Sequence, residues 1–179
     1  MPTDPFIPLY SSLAGGACAI VGSLLATSWA KWIERGHEAR QFAKAFKGEL
    51  SGIVNILELR NYQAGLRHYA HLCETEQKVH VYCVVAREEY RTIYKSNADK
   101  LGCLPGSLPE QISILYTQIA AILEEFHASE EIKEGKRNIS VLGSFNDASQ
   151  RYRATAKFID DLVIKAQNVI SEIDRRYPV

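Results

Sequence analysis

The chain has 179 residues, and its 21 Lys plus Arg are balanced by 21 Asp plus Glu. With no net charge it lacks the long-range attraction on which general nucleic-acid binders depend, and no nucleic acid is expected as a partner. Its length leaves room for one folded domain with a real core once the unusual N-terminal stretch is set aside.

That stretch, Pro5 to Ala30, reads PFIPLYSSLAGGACAIVGSLLATSWA and contains no Asp, Glu, Lys, Arg or His. A helix of about 20 residues crosses the ~30 Å hydrocarbon core of a bilayer, so the run predicts a single transmembrane helix. Tyr10 near its start and Trp29 and Trp32 at its end are about one hydrocarbon thickness apart, where amphipathic aromatic rings favour the two interfaces. Lys31 closes the run with Trp32, completing the set of interface anchors. A buried helix of a soluble domain rarely runs this long without a charge. A cleaved signal peptide would open with a basic segment, and no Lys or Arg precedes Lys31. Lys31, Arg35, Arg40, Lys44 and Lys47 follow the span against Glu34 and Glu38, while Asp4 stands alone before it. The positive-inside rule then places the N-terminus outside and the bulk of the chain in the cytoplasm. The basic flank can also meet anionic lipid. Gly15, Ala19, Gly22, Ala26 and Ala30 recur at helical spacing and form a candidate packing face, because small residues let helix backbones approach closely in lipid. Residues 1–32 are thus read as tail and anchor, and 33–179 as a cytoplasmic domain.

The helix is expected to run on past Lys31, because Lys31 to Leu59 has no Pro and carries Ala39, Phe42, Phe46, Leu50, Ile53 and Leu57 at three- and four-residue spacing. Gly36, Gly48 and Gly52 weaken it locally, with a bend expected near Gly48. A short helix from about Tyr62 to Glu74 follows. Val79 to Val85 is β-branched and reads as extended chain or the start of a helix. Ala86 to Leu101 reads as helix. Gly102 to Pro109 is a break, with Gly102 as the helix stop and Ser107 as the cap of the next helix. Strong apolar stripes mark helices from Leu108 to about Ser129 and from about Asn146 to Tyr177. The expectation is an all-α chain, with one N-terminal transmembrane helix followed by an antiparallel cytoplasmic helical bundle.

Chemical signatures are sparse. His68, His71, Cys73, His80 and Cys83 lie close in sequence and are of zinc-binding type, but they match no recognised ligand spacing. They support an alternative reading as a metal-dependent factor or enzyme. Glu88-Glu89, Glu124-Glu125, Glu130-Glu131 and Asp160-Asp161 are adjacent pairs, which on a helix do not face one another and read as solvated surface. No nucleophile elbow or phosphate-binding loop is present, so neither catalytic residues nor a cofactor are expected. Cys73, Cys83 and Cys103 would be reduced thiols in the cytoplasm.

The segment from Tyr90 through Tyr94, Asn97, Ala98, Leu101, Gly102, Leu104 and Pro105 resembles one found in small uncharacterised bacterial membrane proteins. These share the layout of a Gly/Ala-rich N-terminal span, a charged amphipathic helix and a helical remainder. The resemblance implies a bacterial inner-membrane anchor and no activity. Together with the sequence it points to a non-enzymatic interaction or accessory module. Its partners would be membrane lipid, a protein in the cytoplasm, and a second copy or another membrane protein.

Overall fold

The computed structural model describes the backbone of residues 7–84 and 88–178 and the side chains of residues 23, 26–84 and 90–178. Five α-helices carry the fold: α1 (Ile7–Arg60), α2 (Tyr62–Glu76), α3 (Thr92–Asn97), α4 (Leu108–Lys133) and α5 (Phe145–Arg176). Short 3₁₀ turns fill Glu88–Arg91, Ala98–Cys103 and Ile139–Leu142. Among the described residues there is no strand, and the chain is all-α. Two compact units are separated at Gln41/Phe42.

In the first unit, α1 runs through the predicted anchor and onward without interruption. Among the described residues no helix is long and apolar enough to cross a membrane. The side chains of most of Pro5 to Ala30, including Tyr10, Gly15, Ala19 and Gly22, lie outside the described residues.

In the second unit, α1 from Phe42, α2, α4 and α5 enclose one apolar core. Phe46 and Leu50 from α1, Leu108, Ile112 and Tyr116 from α4, and Ile159 and Ile173 from α5 are all at most 1% exposed. Burying each aliphatic or aromatic side chain of this kind contributes about 1.5–3 kcal/mol before the entropy of ordering is subtracted. Polar rungs on the outside trace the directions of the helices. Lys47 pairs with Asp174, Gln167 donates to Glu58, Arg67 pairs with Asp160 and Arg153 pairs with Glu74. As numbers rise on α1 and α2 they fall on α5, so α1 and α2 form one rod antiparallel to α5. Between them only Asn61 leaves the helical basin, at φ 45°, a left-handed conformation Asn tolerates better than most residues. Lys165 to Gln118 and Arg151 to Glu125 make α4 antiparallel to α5 as well. The contacts of Phe46 with Tyr116 and of Tyr62 with Phe126 then put α4 parallel to the α1–α2 rod. The bundle is therefore antiparallel only with respect to α5.

Three local expectations are corrected. The stretch expected as one helix up to Leu101 is a 3₁₀ turn, the six-residue α3 and a second 3₁₀ turn. Gly102 is not the left-handed helix stop; it sits inside the second 3₁₀ turn. The positive φ belongs to Gly106 at 65°, against which the Arg176 guanidinium lies. Ser107 does not cap α4. Its φ of −88° and ψ of 1° are not the extended geometry that aims a cap side chain at the helix N–H groups, and its Oγ accepts instead from Gln111 Nε2 at 2.8 Å. The capping box appears at Ser144, whose Oγ accepts from Asp147 N while Asp147 accepts from Ser144 N. Of the two readings for the segment after α2, the start of a helix does not hold: residues 79–84 are irregular, and the Tyr152 hydroxyl accepts from Tyr82 N–H.

Candidate functional site

The first candidate is the stretch of α1 where the charge-free run ends. Trp29 is 67% and Trp32 72% exposed, their ring centroids 6.1 Å apart at an interplanar angle of 53°. Ile33 is 42% exposed, and Ala26, Ala30 and Lys31 are exposed with them. These large aromatic rings lie in the open on a helix next to Lys31 and Arg35. Phe42, Phe46 and Leu50, by contrast, do not extend this open surface. Phe46 and Leu50 are wholly buried, and Phe42 is half-buried under the ammonium of Lys100, 4.9 Å from its ring centroid.

The second candidate is the His/Cys region, which folding disperses. His68 and His71 are exposed on α2, with His68 edge-on to Tyr69 at 6.0 Å. Cys73 is fully buried, and its Sγ accepts from the backbone N–H of His80 at 3.4 Å. The Cys83 thiol lies 3.8 Å from the Ser129 carbonyl. His80 Nε2 is a buried atom 2.8 Å from Glu76 Oε2, without the geometry of a hydrogen bond. Among the described residues no three His, Cys, Asp or Glu side chains gather as a metal site. These groups instead stitch the segment after α2 to the bundle. Tyr152 OH donates to the His80 carbonyl at 2.8 Å and accepts from Tyr82 N–H at 3.1 Å, and burial pushes the Tyr152 phenol up.

A third cluster was not foreseen. Glu49 on α1 accepts from the backbone N–H of Ile93 at 2.7 Å and of Tyr94 at 3.1 Å, and from Tyr116 OH. The Tyr94 and Tyr116 rings stack with centroids 4.0 Å apart and planes within 7°. Burial, then the Glu49 hydrogen bond, pushes the Tyr116 phenol far up. One carboxylate thereby caps α3 from a different helix and clamps it to the core. No spacing rule reaches this contact, because its partners are more than forty residues apart in sequence. The cluster holds a carboxylate but no partner base or nucleophile, and its three hydrogen bonds already engage the carboxylate.

No protein-family model, curated protein or solved structure matches the chain.

Proposed function

We propose that the protein is a membrane-anchored, non-enzymatic interaction module of a bacterial inner membrane, its N-terminus outside and its helical bundle in the cytoplasm. The observation that carries this reading is the pair of exposed tryptophans, Trp29 and Trp32, at the end of a run without charges on an unbroken helix. In water such a pair is costly to leave open; at a lipid interface both rings are satisfied. The bundle serves as the docking body for a cytoplasmic protein, and Leu59, Ile114 and Ile164 leave apolar area open on its surface. Membrane lipid is the first partner. The small-residue stripe makes a second copy, or another membrane helix, the second.

Fractionation tests the anchor. Full-length protein should stay in the membrane pellet through alkaline carbonate and be released only by detergent. Recovery in the soluble fraction after lysis overturns the reading. Crosslinking in membranes tests the stripe separately. Gly22→Ile should reduce self-association while Leu24→Ile leaves it unchanged. Equal crosslinking of both variants and wild type would make the span a plain tether.

A further inference from the structure

Between the α1–α2 rod, α4 and the turn that carries Tyr90 lies a half-open cavity of about 40 Å³. Ile53, Leu57, Tyr62, Tyr90, Ile122 and Phe126 line it with others, and every lining residue is aliphatic or aromatic. Small-molecule sites are mostly apolar hollows with a few convergent polar groups that fix orientation. Arg60 is tied to this hollow through Tyr62, one of its lining residues. The Tyr62 ring forms a wall, tilted against Phe126 at 5.5 Å, while its hydroxyl reaches outward to accept from Arg60 Nη1 at 3.0 Å. Tyr90 lines the same hollow. Arg60 is exposed, so an incoming anion can reach it.

We propose that this cavity binds a short aliphatic carboxylate, its hydrocarbon tail in the hollow and its carboxylate on Arg60 with the hydroxyls of Tyr62 and Tyr90. The hollow is small, which favours short tails, butanoate through hexanoate, over long fatty acids. The guanidinium prefers a carboxylate because it offers paired donors in a fixed plane, whereas an alcohol of equal length takes a single weaker hydrogen bond. The tail adds affinity in proportion to the apolar area it removes from water. This inference is independent of the membrane reading, since every group in it belongs to the bundle.

Saturation-transfer NMR on the full chain in lipid nanodiscs, titrated with hexanoate and with hexanol, tests it. Wild type should bind hexanoate about tenfold more tightly than hexanol, the worth of one charge-assisted hydrogen bond. Arg60→Gln should abolish that difference, lowering hexanoate affinity about tenfold. Ile122→Trp, which fills the hollow, should remove both signals, and Ile56→Phe at its edge should do the same if the tryptophan variant fails to fold. Equal affinity for hexanoate and hexanol in wild type, or hexanoate signals that persist undiminished in the folded cavity-filling variant, would overturn the proposal; empty nanodiscs set the background of lipid partition.

Discussion

Glu49→Ala removes the one acceptor shared by Ile93 N–H, Tyr94 N–H and Tyr116 OH. The three orphaned donors do not suffer equally. Ile93 and Tyr94 are half-buried, so water recovers part of their hydrogen bonding, but Tyr116 is 1% exposed and its hydroxyl has nowhere to turn. An unsatisfied buried donor costs about 1–3 kcal/mol, and two partly solvated ones add less than that again, so about 2–4 kcal/mol is expected in all. For a chain of this size each 1 kcal/mol moves Tm by about 2–4 °C, which predicts a fall on the order of 10 °C. Tyr116→Phe removes only one of the three contacts and leaves Glu49 with its two backbone donors, so it should cost about 1 kcal/mol. Thermal unfolding of the full chain in one mild detergent, followed by circular dichroism, measures both. In the double variant the two costs should fall well short of adding, because the Tyr116 hydroxyl has already lost its partner. The clamp is refuted if Glu49→Ala unfolds within about 0.5 kcal/mol of wild type, or if the two substitutions add in full.

The glycines should respond to the same substitution with opposite signs. At Gly36, Gly48 and Gly52 an added Cβ meets nothing within 4 Å, so each change to Ala should stabilise by about 0.5–1 kcal/mol through helix propensity alone. At Gly65 the Tyr82 ring occupies the space a Cβ needs, so Gly65→Ala should destabilise by about 1–3 kcal/mol as the ring is displaced; thermal unfolding reads both. Ser144→Ala breaks the capping box of α5 and should cost about 1 kcal/mol by the same measurement. Arg153, then Ser149, hold the Glu74 carboxyl below its usual range. A depressed carboxyl stabilises above its ordinary pKa and loses that contribution as the pH falls through the folded value. The Tm gap between wild type and Glu74→Gln should therefore be full at neutral pH and close as the pH drops below the usual carboxylate range, whereas a constant gap would mean the pair does not titrate with folding.

Periodicity by itself determined the class and the long helices. The stripes Ile112, Leu115, Tyr116, Ile119 and Ala156, Ile159, Leu162, Ala166 repeat every three or four residues, and these positions are buried in α4 and α5. The lack of Pro after Pro8 and the continued apolar spacing marked α1 as unbroken through Leu59. Only the tertiary structure decided what lies between the long helices. The sequence reads as one helix from Ala86 to Leu101, yet the path of residues 88–103 follows from Glu49, Tyr94 and Tyr116, a contact made across helices after they dock. The same holds for the His/Cys region. Local spacing brought five metal-type side chains together on paper, but α2 turns His68 and His71 outward and Cys73 inward, so the residues share a sequence neighbourhood without sharing a site. The cavity beside Arg60 needs walls from α1, α2, α4, α5 and the Tyr90 turn at once. Helical period is a local property that short-range order writes into the chain, whereas a clamp, a ligand set or a hollow depends on the relative placement of distant segments, which only packing supplies.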